Sequence, residues 1–175
     1  MIKYYPHSDI DKKRWNNCIA RSANELIYAY SWYLDRVIPE WDALVLNEYQ
    51  AVMPLTWAKK RGIQYLYPPL FTQQLGIFSP NLPSAELTHQ FLGMIPEKFR
   101  YAQIYLNESN PVKNDTDYLM QLNNNHEIDL SFSYEKIYEN YNRNCKRNIK
   151  KAENCGLKIR SDITAPTFVE FVKNN

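Results

Sequence analysis

The sequence predicts an α+β (mixed α/β) fold, a largely antiparallel central sheet flanked by helices. Three observations carry this. Between Trp41 and Tyr67, short runs rich in β-branched and aromatic residues alternate with polar turns, the pattern of an antiparallel meander. Apolar residues at helical spacing bracket that region, at 8–21 and 84–97. Residues 133–156 read as one long amphipathic helix closed by Gly156. A chain of 175 residues holds one domain with a substantial core and is marginal for two.

In order along the chain, "SDIDKKRWNNCIAR" (8–21) predicts a helix capped by Ser8 or Asp9, with Ile10, Trp15, Cys18 and Ile19 on its apolar face. "LIYAYSWYLDRVI" (26–38) reads as a short strand leading into a helical turn that ends before Pro39. "DALVLN", "AVMPLTWAK" and "IQYLY" are the meander strands, and "PPLFTQQLGIFS" adds a further extended segment. In 84–97, Leu87, Phe91, Leu92 and Ile95 share a helical face. Two strands are expected at Tyr101–Asn107 and Asp117–Asn123, followed by an "NNN" turn. Ser133 then caps the long helix, with Glu135 favourably placed in its first turn. "LKIRSDI" reads as a strand, and Pro166 opens a last helix. The expected organisation is a subdomain at 1–132, a connecting helix at 133–156 and the start of an incomplete second subdomain at 157–175.

The net charge of +2 predicts no polyanionic partner by itself, so any electrostatic argument rests on local clustering. Such clustering occurs in the long helix. With Arg143 at zero and about 100° per residue, Lys146, Arg147, Lys150 and Lys151 gather on one side. Tyr141, Cys145, Ile149, Ala152 and Cys155 gather on the other. Burying a large apolar side chain is worth about 1.5–3 kcal/mol, whereas exposed like-charge neighbours cost tenths. The apolar stripe therefore decides docking, and the basic stripe is left facing water or an anion. Three cysteines, without CxxC or a nearby histidine pair, argue against a disulfide framework and a zinc site. His7, His89 and His126 are too scattered to suggest a relay. Asp35 and Glu40 read as a helix-end charge and a surface glutamate before they read as a carboxylate pair. No secretory h-region and no transmembrane run is present, and a cytoplasmic location is expected.

"YSWYLDRVIPEWDALV" (30–45), "YPPLFTQQLGIFS" (67–79) and "YENYNRNCKRNIKKAENCGLKI" (138–159) together resemble the amino-terminal half of FemAB-like peptidoglycan aminoacyltransferases, within the GNAT acyltransferase superfamily. The resemblance implies a GNAT-like subdomain followed by a second one, in a chain about twice this length. It implies transfer of an aminoacyl or acyl group to an amine, with aminoacyl-tRNA or acyl-CoA as donor and a UDP-linked or peptide acceptor. A truncated chain or a half-length relative is the expectation.

A GNAT donor site needs free backbone N–H groups at the start of the helix after the fourth strand, reached through a glycine-rich turn. "QQLGIF" supplies Gln73 and Gly76 but places Phe78 where a small residue is required, and "SPNLPSAE" holds two prolines and no glycine. No cofactor is therefore expected in this half. Aromatic faces beside an arginine suit a sugar, a base or a phosphate. The candidate substrate-binding residues are Trp32, Tyr33, Arg36, Gln73, Gln74 and Gly76, and the candidate phosphate ligands are Arg143, Lys146, Arg147 and Lys150. No catalytic residue and no metal ligand is identified. Two other readings stand beside this one: a nucleic-acid (tRNA) module acting through the basic helix, and a catalytically silent scaffold.

Overall fold

The structure is a computed structural model describing residues 1–113 and 118–174. It separates into an amino-terminal unit, Met1–Leu119, and a carboxy-terminal unit, Met120–Asn175. The amino-terminal unit contains a five-stranded sheet with the strands in sequence order: β1 (Ile2–Tyr5), β2 (Trp41–Leu46), β3 (Ala51–Lys60), β4 (Ile63–Leu66) and β5 (Phe99–Ala102). The first four pair antiparallel, and β5 lies parallel to β4 after a crossover through α3 (Ala85–Gly93). The expected α+β class with a largely antiparallel sheet is what forms.

Helices α1 (Lys12–Ala20) and α2 (Ser31–Val37) supply one face of the core, where Trp15, Ile19, Leu34, Trp41, Val52 and Phe78 are buried together. On the other cluster Leu44, Met53, Leu55 and Leu66 pack with Phe91 of α3 and Phe99 of β5. Alternation along β2 and β3 sends successive side chains to opposite clusters, so both faces of these strands are apolar. Leu87, Leu92 and Ile95 pack against the second cluster as their spacing predicts.

Several expectations are corrected. β1 is a strand in a segment to which the sequence assigns no element. Helix α1 is capped by Asp11, two or three residues later than expected, because Asp11 accepts from the N–H groups of both Lys13 and Arg14 at 3.0 Å. No strand precedes α2: residues 27–29 make a short 3-10 turn, and the Asn16 side chain accepts from the Ser31 N–H at 2.9 Å at the start of α2. The fifth strand starts at Phe99, not Tyr101, and stops at Ala102, with one further bridge between Leu106 and Leu75. Residues 118–123 form no strand, and Asp117 lies outside the described residues.

In the carboxy-terminal unit the predicted long helix is two helices, α4 (Tyr134–Asn140) and α5 (Arg143–Asn154). Tyr141 and Asn142 are extended, and the Asn142 side chain accepts from the Cys145 N–H at 2.8 Å, so an asparagine in mid-run starts a new helix. Gly156 closes α5 as predicted. Its φ is +68°, its N–H donates to Glu153 at 2.9 Å, and the Leu157 N–H donates to Ala152 at 3.1 Å, the Schellman pattern. "LKIRSDI" is not a strand, and α6 spans Ala165–Asn174 with Pro166 in its first turn. No described residue of this unit is buried; Cys145, Ile149 and Ala152 are half-exposed.

Candidate functional site

The centre of the amino-terminal unit is an opening in its own sheet. Trp57 of β3 faces Leu66, while Val52, five residues earlier, faces Phe78, twelve residues later. Seven extra residues are therefore accommodated as an excursion between β4 and the rejoining segment. The Tyr67 N–H donates to Thr56 at 3.0 Å, and Val52 and Phe78 exchange two bonds at 2.8 and 2.9 Å. Pro54 lies halfway between and points to the same edge by the strand period of two. It has no N–H to leave unpaired there, which is why a proline is tolerated in an interior strand. Beyond the opening, Gln103 N–H donates to Leu66 at 3.1 Å and Leu75 N–H donates to Tyr105 at 2.7 Å, so β5's track spans it.

A small cavity of about 10 Å³, one water's worth, sits in the opening among Pro54, Leu66, Thr72, Gln74 and Tyr105. Thr72 is 6% exposed, and its hydroxyl has no hydrogen-bond partner among the described residues. The tip of the excursion faces outward: Phe71 is 85% exposed and adopts φ +62°, a strained conformation for an aromatic residue.

Helix α2 is tied to that tip, since the Tyr33 hydroxyl donates to the Phe71 carbonyl at 2.5 Å. Trp32, 52% exposed, stacks on Tyr30 with ring centroids 5.8 Å apart and meets Tyr33 edge-on at 6.1 Å. Arg36 is exposed one turn along from Trp32, with no ion pair among the described residues. The structure thus brings Trp32, Tyr33 and the excursion together. Gln73 is exposed, and Gln74 lines the small cavity.

Gly76 is buried. Its φ is +106°, and a Cβ there would collide with Asn110 Oδ1 and lie 3.1 Å from Leu106. Around it, Asn24, Asn107 and Asn110 bond the backbone of the rejoining segment. Ile77 N–H donates to Asn110 at 2.6 Å, Asn107 donates to the Leu75 carbonyl at 2.9 Å, and Asn24 donates to the Ile77 carbonyl at 2.8 Å. Gly76 accordingly fixes the segment's position.

Polar contacts that sequence spacing did not reveal cluster at the β1–β2 end. Lys12 donates to both Asp35 oxygens at 2.9 and 3.0 Å, and Trp41 Nε1 donates to Asp35 at 3.0 Å. Burial acts to raise the Asp35 pKa, but the Lys12 and Trp41 bonds outweigh it and hold the carboxyl below its usual value. His7 packs edge-on against Trp41, with Nδ1 3.0 Å from the Trp41 carbonyl and Nε2 3.8 Å from Asp35. Next to it the buried Asp42 accepts from Tyr4 at 2.5 Å and from Lys98 at 3.1 Å. Burial, then Asp42, hold the Tyr4 phenol well above its ordinary pKa. The only sequence signal for this cluster is an acidic residue inside an otherwise apolar strand.

On α5 the predicted phosphate ligands divide. Lys146 donates to the Glu139 carbonyl at 2.8 Å and lies 5.4 Å from the Tyr138 ring. Arg143, Arg147 and Lys150 are exposed, with no carboxylate partner among the described residues. Among the described residues, no His, Cys, Asp and Glu group could hold a metal, and no helix is long and apolar enough to cross a membrane. No family model, curated protein or solved structure matches the chain.

Proposed function

We propose that the chain is the amino-terminal part of a FemAB/GNAT-like N-acyl- or aminoacyltransferase, and that this part binds the acceptor. The observation that supports it best is the interrupted β3–β4–β5 ladder, with a stacking platform bonded to its rim. The C–H face of a sugar ring or a planar base would lie on Trp32, Arg36 one turn away would meet a phosphate or carboxylate, and the excursion would border the acceptor amine. The segments that carry the family resemblance at 30–45 and 67–79 are those joined by the Tyr33–Phe71 bond.

The donor, acyl-CoA or aminoacyl-tRNA, is proposed to be held by a second GNAT-like half. Support comes from the start of α3, the helix after the fourth strand. There the Ser84 hydroxyl accepts from the Leu87 N–H at 3.2 Å, and Glu86 in the first turn pairs with Lys113 at 3.0 Å. A capped, acidic helix start disfavours a pyrophosphate. The exposed apolar side chains of the carboxy-terminal unit, Phe168 and Val169 among them, supply surface for such a half to cover.

Calorimetric titration with a UDP-linked muropeptide tests the acceptor assignment. Saturable binding is expected, at least tenfold weaker in Arg36→Ala and Trp32→Ala; equal binding in all three proteins, or none in any, removes it. A second reading rests on the exposed cations of α5. Four phosphate contacts to a single strand would give a log–log salt slope of about −3. A flat dependence for tRNA excludes it.

A further inference from the structure

We propose that the amino-terminal unit carries a second ligand groove, separate from the α2 platform, which takes a small amphiphile with an anionic head group and a short apolar chain. The groove offers about 470 Å³, within the range of small-ligand clefts. It does not depend on the acyltransferase reading. Helix α1 uses two different sides. Lys12 and Asn16 bond α2, whereas Arg14, Asn17, Cys18 and Arg21, at spacings of three and four, line the groove. The β2–β3 turn and the connection into α3 supply the facing walls.

Charge selects the head group. Arg14 donates to the Glu48 carboxylate at 2.6 Å and to the Glu48 carbonyl at 3.1 Å, and it lies 4.9 Å over the Tyr49 ring, so these two charges cancel. Arg21 has no ion pair among the described residues, which leaves the groove with one unopposed cation. Amide groups surround it. Gln50 accepts from Asn47 at 2.8 Å, leaving its N–H groups to donate, and the side chains of Asn17 and Asn81 have no hydrogen-bond partner among the described residues. At the floor, burial pushes the Cys18 thiol up to about 11, so that surface is neutral and not nucleophilic at pH 7.

The apolar chain has its own seat in Leu46, Leu82 and Leu87. Leu82 is 59% exposed, and a ligand covering it removes apolar area from water. The wall opposite α1 is held in place at a cost. Tyr49 adopts φ +64°, unfavourable for a bulky residue, and is fixed by the Asp11 N–H donating to its hydroxyl at 2.8 Å and by Arg14 above its ring. That turn is what sets Glu48 and Gln50 at the groove's rim.

The test is an amide NMR titration of the whole chain with octanoate, octyl phosphate and octylammonium. At least one anion is expected to shift Arg21, Asn81 and Leu82 saturably, at least tenfold more weakly in Arg21→Gln and in Leu82→Glu, while octylammonium leaves them unmoved. The tighter anion identifies the head group as carboxylate or phosphate. Both substitutions fall on exposed side chains, so spectra outside the groove are expected to be unchanged. Shifts of equal size with octylammonium, undiminished binding in Arg21→Gln, or no saturable shift with either anion would overturn the proposal.

Discussion

At the scale of single residues, the positions that matter most are held by partners distant in sequence. Gly76 has a left-handed φ and no room for a Cβ beside Asn110. Gly76→Ala is expected to cost about 2–4 kcal/mol in urea denaturation, from backbone strain and from displacing a buried amide. Asn110→Ala is expected to cost about 1–3 kcal/mol, because it strips the Ile77 N–H of its acceptor. The double variant is expected to cost less than the sum, since both changes damage one contact. The Tyr4 phenol predicts a pH effect of definite sign. Its folded pKa is raised, so the unfolded chain loses this proton first. The stabilisation is full below the unfolded value of about 10 and declines as pH rises above it. Tyr4→Phe is expected to flatten this alkaline limb in denaturation curves collected between pH 8 and 11. Asp35 acts in the opposite sense. Its lowered pKa contributes stability above the unfolded value of about 3.9 that disappears as pH falls below it.

At the scale of elements, local signals placed most boundaries. Periodicity located β2, β3, β4 and α3, and left-handed Gly156 ended α5. The missed break at Tyr141–Asn142 has a simple cause. An apolar stripe reports the side of a helix but does not report a turn in which the chain leaves the helix and restarts in similar phase. Asn142 is not assigned as a cap from the sequence, because a cap is sought where a periodic run begins and this run continues through it. Asn142→Ala is expected to remove about 1 kcal/mol from α5 and to lower far-UV helicity. A circular dichroism signal equal to that of the wild type would show that the cap is dispensable. The strand expected at Asp117–Asn123, of which 118–123 are described, and that expected at 157–163 failed for a related reason. Alternation permits a strand, but pairing with a neighbour makes one, and no neighbouring ladder receives these segments among the described residues.

At the scale of the whole molecule, the chain is two units of unlike character. One has a two-sided core, whereas the other buries none of its described residues. Residues 121–130 are exposed and form no helix or strand. Limited proteolysis is expected to cut there first and to leave a resistant fragment ending near residue 119, identified by mass spectrometry. Early cuts inside β2 or β3 would contradict the assignment of the stable body. The sequence alone determined the fold class, the meander, the helical faces and the basic stripe of α5, because spacing and caps act over a few residues. Tertiary structure alone decided the gap opposite Pro54, the asparagine contacts that exclude a Cβ at Gly76, the Tyr33–Phe71 tie and the groove under Arg21. Each of these joins residues far apart in the chain, and which of them meet depends on how the sheet closes.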